Sequence, residues 1–78
     1  MATLLLFGPA REAAGTARAD VDGVTVAEVR AAACARFGPA FAAVAEGAAI
    51  WLNGEPASSD HPVGPLDEVA VVPPVSGG

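Results

Sequence analysis

The sequence closes Pro73-Pro74-Val75-Ser76-Gly77-Gly78, and this end is the part of the chain best suited to chemistry. Proline holds φ near −65°, so Pro73-Pro74 should project the last four residues in an extended form. Gly77 and Gly78 lack a Cβ, so the tip could thread a narrow channel and take backbone angles closed to other residues. At an average glycine frequency of about 7%, such a pair at the end arises by chance about once in 200 chains. An α-carboxyl with a pKa of about 3.3–3.7 is an anion at neutral pH. The unhindered carboxylate of Gly78 could therefore attack the α-phosphate of ATP. The resulting acyl-adenylate is a mixed anhydride from which a persulfide could displace AMP, and S–S cleavage would then leave a thiocarboxylate. On this reading the chain supplies a carboxylate and a docking surface, holds no stable cofactor, and relies on partner proteins to use ATP and to catalyse.

Other residues with chemical potential are poorly placed for it. Cys34 is the only cysteine; it falls within a helical pattern about a quarter turn from the apolar stripe, with Arg30 four residues away. A reactive thiolate needs an accessible, electropositive setting, so half-buried filler is the better reading. A lone thiol also excludes an internal disulfide and a thiolate metal cage. His61 stands alone in Asp60-His61-Pro62 and could at most bond locally to Asp60; one histidine without a neighbouring ligand is not a metal site. Asp67 and Glu68 are adjacent at a strand start, point to opposite faces, and do not form an acid/base pair. Four scattered arginines read as solvated surface, and Gly8, Gly15 and Gly23 as turn residues without the spacing of a phosphate loop.

Composition narrows the classes further. Seventy-eight residues suit one small domain, and the 53% hydrophobic content overstates the core because much of it is alanine. Bulk comes mainly from valine and leucine, with Phe7, Phe37, Phe41, Ile50 and Trp51, so a deep pocket is not expected. The net charge is −5, with no lysine. No basic stripe exists to displace counterions from nucleic acid or an anionic membrane, and a partner with a basic surface fits better. No run approaches the ~18 apolar residues of a membrane span. The opening Met1-Ala2-Thr3 lacks the features of a signal peptide, and the chain is expected in the cytoplasm.

The elements that must position the tail can be read locally. Residues 3–7 form a strongly apolar run closed by Gly8-Pro9, which predicts a strand. Leu4, Leu5, Leu6 and Phe7 do not alternate with polar residues, as in a central, parallel-paired strand. Residues 11–15 read as a helical turn or loop ending at Gly15, and 16–21 as a weaker strand with Ala17, Ala19 and Val21 on one side. Thr25-Val26-Ala27-Glu28 has the form of a capping box. Val26, Val29, Ala33 and Phe37 then lie on one helical face, and Gly38-Pro39 ends the helix. Residues 40–45 could add one more turn. Residues 48–52 read as a strand before the Asn53-Gly54 turn, 55–65 as irregular loop, and 69–72 as a last strand.

This order predicts an α+β fold, the ubiquitin-like β-grasp, with a mixed sheet and one main helix packed on one face. The β-grasp domain is expected over residues 1–72 and an extended tail over 73–78. One slim, alanine-rich helix cannot cover both faces of the first and last strands. Part of the set Leu5 or Leu6, Phe7 and Val72 should then form an exposed apolar patch of the kind that binds partners, unless the 55–65 loop folds over that face.

In these residues the chain resembles the MoaD/ThiS sulfur carriers, within them the small subunit of molybdopterin synthase. The resemblance rests on Leu6-Phe7 with Arg11-Glu12 and Gly15, on Asn53-Gly54-Glu55, on Asp60-His61-Pro62, on Asp67-Glu68-Val69-Ala70, and above all on the tail. It implies a β-grasp fold and activation by an ATP-dependent enzyme related to the ubiquitin-activating enzymes. A persulfide-bearing sulfurtransferase would be the sulfur donor, and the large catalytic subunit of molybdopterin synthase the acceptor. Gly78 would carry the thiocarboxylate, with Pro73, Pro74, Val75, Ser76 and Gly77 threading the partner's active site. Phe7 and Val72 would belong to the partner-binding patch, and Arg11 to a partner-contact loop. Val72 stands where that subunit often has phenylalanine, and Leu66 where a glycine usually precedes Asp-Glu-Val.

Other readings predict different behaviour. A sulfur carrier for thiazole, cysteine or a specialised metabolite would share the terminal chemistry, although the Arg11-Glu12 segment favours molybdopterin. A ubiquitin-like modifier would join Gly78 to lysines of other proteins. A plain binding module would keep its function without Gly78.

Overall fold

The computed structural model describes residues 1–72; the tail residues 73–78 lie outside the described residues. The N-terminal apolar run forms β1 (Ala2–Leu6). Helix α1 (Gly8–Ala14) comes directly after it, with a proline in its first turn and Gly15 closing it at φ 76°. Proline suits a first turn because no N–H is needed there, and glycine suits a left-handed cap. Gly8-Pro9 therefore starts a helix as it ends the strand. Phe7 becomes the helix N-cap instead of the last strand residue, and residues 11–15 are more than a turn. Strand β2 (Arg18–Val21) completes an antiparallel hairpin with β1.

Helix α2 (Val26–Phe37) starts where the capping box predicts. Thr25 Oγ1 accepts from the Glu28 N–H at 3.2 Å. Glu28 reaches back one residue further than in the reciprocal box, its carboxylate accepting from the Val24 N–H at 3.3 Å. Val26, Val29 and Ala33 are buried, whereas Phe37 is only partly so. The loop into this helix passes so close that a Cβ on Gly23, at φ 153°, would lie 2.7 Å from the Val29 backbone nitrogen.

The expectation of one main helix is incomplete. Helix α3 (Pro39–Glu46) runs well beyond one turn and carries Phe41 and Ala45 into the core. Phe41 is the largest fully buried side chain, and its ring sits 5.2 Å from that of Phe37. Strand β3 (Ala49–Leu52) is next. Asn53 and Gly54 turn the chain at φ 51° and 85°, the positive pair that a tight hairpin needs. Residues 55 and 56, expected as loop, form the short strand β4 (Glu55–Pro56). Strand β5 (Glu68–Val72) ends the described chain.

The five strands lie in the order β2-β1-β5-β3-β4, with β1 and β5 parallel at the centre. All three helices contribute to one core with a single parity of strand residues: Ala2, Leu4, Leu6, Ala19, Val21, Leu52, Val69 and Val71 from the sheet, Ala10, Val26, Val29, Ala33, Phe41 and Ala45 from the helices. The helices therefore share one side of the sheet, and none covers the other. The segment after β4 does not cover it either. Val26 N–H donates to His61 C=O, Ala27 N–H to Ser59 C=O, and Val63 N–H to Val24 C=O. These bonds tie the segment to the start of α2, and Val63 joins the core. No helix among the described residues is long and apolar enough to cross a membrane.

Candidate functional site

Strand register determines what the uncovered face displays, because paired residues project to the same side. Leu5 pairs with Arg18 and with Ala70, Ala70 with Trp51, and Trp51 with Pro56. One row across the face thus reads Arg18, Leu5, Ala70, Trp51, Pro56. The next row, toward the ends of β1 and β5, holds Val72 paired with Ala49. Phe7 continues the alternation of Thr3 and Leu5 with extended backbone (φ −130°, ψ 152°). Since Leu6 pairs with Val71, Phe7 falls beside Val72. The row on the opposite side is polar: Asp20 pairs with Thr3, and Thr3 with Glu68.

The open face is therefore divided. Its apolar half lies at the end of the sheet from which the chain runs on past Val72, and its polar half at the other. Phe7 is 49% exposed and Trp51 36%, while Leu5, Ala70 and Val72 are half-buried by their neighbours. Leu6 belongs to the core, so Leu5 is the leucine of β1 on this face.

The structure thus brings Phe7 and Val72 together, although they are separated by most of the chain. Arg11 stands near them: its backbone N–H donates to the Phe7 carbonyl at 3.4 Å, placing it one turn above Phe7 and exposed. Pro73, Pro74, Val75, Ser76, Gly77 and Gly78 lie outside the described residues. Sequence reasoning missed Trp51. Ala49-Ile50-Trp51-Leu52 is apolar throughout, so only the burial of Leu52 in the structure puts Trp51 outside.

The other candidates have structural positions. Cys34 is half-buried against the core. His61 bonds to the neighbouring carbonyl and not to Asp60, its Nδ1–H donating to Pro62 C=O at 2.9 Å. Asp60 instead accepts from the Ser58 hydroxyl at 2.7 Å, which holds its carboxyl below the usual value. Asp67 closes the loop before β5. Its two oxygens accept from the Gly64 N–H at 2.8 Å and the Asn53 amide at 3.0 Å. These bonds, that from Gly64 first, lower its pKa from the ordinary 3.8. Asn53 also accepts from the Glu68 N–H at 2.9 Å, so the β3–β4 turn and the start of β5 are clamped together. Among the described residues no group of three or more His, Cys, Asp or Glu side chains is arranged to hold a metal. The hollow beside His61, about 400 Å³ and lined by Leu52, Asn53, Glu55, Pro56 and Ala57, is an open depression.

What this arrangement presents is an accessible apolar area next to the point where residues 73–78 begin. Solved proteins share this fold. Small archaeal modifier protein 1 from Haloferax volcanii, in its crystal structure, shares 33% identity over 97% of both chains with a TM-score of 0.78. The solution structure of small archaeal modifier protein 1 from Methanosarcina acetivorans superposes with a TM-score of 0.89 at 26% identity, over 99% of this chain and 95% of that one. The family model described as the ThiS family matches residues 4–78. This chain belongs to the ThiS family, a sulfur-carrier or ubiquitin-like modifier family of small β-grasp proteins that work with activating enzymes and with target proteins or enzymes.

Proposed function

We propose that this chain is a sulfur carrier of the molybdopterin-synthase small-subunit type. The carboxylate of Gly78, taken as the terminal group, is adenylated by an ATP-dependent activating enzyme. A persulfide on the sulfur donor displaces AMP to give an acyl disulfide, and a second thiol then attacks the donor's sulfur, leaving a thiocarboxylate on Gly78 and a disulfide on the donor. The large catalytic subunit of molybdopterin synthase then takes the sulfur. ATP is used by the activating enzyme, and the carrier itself needs no bound cofactor. Both partners meet it in the cytoplasm.

The observation that carries this reading is the division of the open face, with its apolar half at the end where residues 73–78 begin. A protein docked on Leu5, Phe7, Trp51 and Val72 receives the tail at its own surface. Six extended residues span at most about 20 Å, enough to carry Gly78 from the docking face into a neighbouring active site. Residues 1–72 then serve as the docking body and Pro73, Pro74, Val75, Ser76, Gly77 and Gly78 as the arm. Arg11 adds a charged contact at the edge of the patch. The Arg11-Glu12 segment, now seen as part of α1, supports the molybdopterin acceptor over a thiazole-type one.

A second reading has a specific observation behind it, since the similar solved structures are of small archaeal modifier proteins. As a modifier, the chain would be joined through Gly78 to lysines of target proteins. It has no lysine among its own 78 residues, so branched chains of itself would not form.

Intact-protein mass spectrometry tests both. The chain and a variant lacking Gly78 are incubated with ATP, a persulfide donor, a thiol and the host's activating enzyme. A gain matching one oxygen replaced by sulfur, absent from the variant, is the expected result. Transfer of that sulfur to the large molybdopterin-synthase subunit identifies the acceptor. Lysine-linked adducts without a thiocarboxylate would carry the modifier reading instead, and neither product with a competent activating enzyme would overturn both.

A further inference from the structure

We propose that the outer edge of β2 is a latent interface for a second copy of this chain, held closed by Thr16 and Arg36. An edge strand presents unpaired N–H and C=O groups that another strand can pair with. At the far side of the sheet β4 offers only Glu55 and Pro56, and proline has no N–H to give. The edge of β2 is the longer one.

The Leu6 N–H donates to Ala17 C=O at 2.9 Å, so alternate residues of β2 direct their backbone groups toward β1, and those of Arg18 and Asp20 face outward. Three of these four outward groups are occupied from within the chain. The Thr16 hydroxyl donates to Arg18 C=O at 3.0 Å and accepts from the Arg18 N–H at 3.4 Å. From α2, Arg36 donates to Asp20 C=O at 2.9 Å. The Asp20 N–H is the one outward group of the four without such a bond among the described residues. An incoming antiparallel strand must exchange both groups of a residue, and at each of the two positions at least one is already used.

The strand behind this cover is complementary to itself. Two copies of Arg18-Ala19-Asp20 laid antiparallel about Ala19 set Arg18 of one opposite Asp20 of the other, twice. In that register the paired residues are the ones whose backbone groups face outward, so hydrogen bonding and charge pairing agree. Cross-strand pairs of opposite charge are worth about 0.2–1 kcal/mol each. Thr16 and Arg36 therefore hold off a pairing that would join two sheets into one, and leave the open face as the route for partners.

Sedimentation of the Thr16→Val/Arg36→Ala double variant tests this. Wild type is expected to sediment as a monomer, and the double variant, at the same concentration, as a species of twice the mass. Adding Arg18→Asp, which sets like charges opposite each other, should return the monomer. A double variant that stays monomeric overturns the proposal, as does a dimer that survives Arg18→Asp or a wild type that is already dimeric. Amide exchange in the wild type gives a reading independent of any variant's folding. After correction for local sequence, the Arg18 N–H should exchange more slowly than the Asp20 N–H, and equal rates would count against the Thr16 cover.

Discussion

The two sides of one sheet divide the labour of this protein. On the covered side Leu4, Leu6, Val69 and Val71 are almost wholly buried beneath three helices. On the open side their immediate neighbours Leu5, Ala70 and Val72 remain partly accessible, with Phe7 and Trp51 more so. The same strands thus supply a core with one parity and an accessible apolar surface with the other. In so small a domain, one layer of helices seals one side, and the apolar residues on the other are left accessible.

This contrast can be tested from both sides. The largest expected effect on stability is on the covered side, at Phe41. Phe41→Ala removes the largest core side chain and should cost about 3–5 kcal/mol in urea unfolding; a loss below about 1 kcal/mol would mean that α3 is not part of the core. On the open side Trp51→Ala should change stability by less than about 1 kcal/mol yet weaken binding to the activating enzyme. The expected loss is about 2 kcal/mol or more, in keeping with a central tryptophan hot spot. Calorimetric titration against that enzyme reads it, and unchanged affinity would remove Trp51 from the docking face. Thr25→Ala, at the start of α2, should cost about 1 kcal/mol through the lost cap and leave partner binding unaltered, read by the same two measurements.

The smallest effect concerns the loop that Asp67 closes before β5. Asp67 has a folded-state pKa below its ordinary value because the Gly64 N–H and the Asn53 amide bond its carboxylate. A depressed pKa contributes stability that is present above the unfolded value and is lost as pH falls through the folded one. The stability difference between wild type and Asp67→Asn should therefore be constant from neutral pH down to about 4 and shrink below that. A difference that instead grew with acid would show that the clamp is not formed by the carboxylate.

Much of the fold was legible because its signals are local. Thr25 with Glu28 marks the start of α2, Gly38-Pro39 its end, and Asn53-Gly54 the β3–β4 turn, each through contacts within a few residues. The extent of α3 is harder to see because its alanines weaken the helical signal, while its importance comes from Phe41 meeting residues distant in sequence. Phe7 reads as strand because an apolar residue before Gly8-Pro9 looks the same whether it ends a strand or caps a helix. For the candidate site, Phe7 and Val72 were legible as apolar residues in excess of what one helix could cover. Trp51 does not stand out, since nothing nearby says which side of β3 will be covered.

By itself, then, the sequence determined the local punctuation, the α+β class, and the position of the Gly77-Gly78 pair on which the proposed carboxylate chemistry rests. Only the tertiary structure decided which side of β1 and β5 would be sealed, that three helices would share that side, and that Phe7, Val72 and Trp51 would share the other. The physical reason is range. Caps and turns are satisfied by neighbouring residues, whereas the fully apolar run Leu4-Leu5-Leu6-Phe7 contains no alternation to orient it. Its inward side is chosen only when β5, from the far end of the chain, pairs beside it and the helices pack on one side of both.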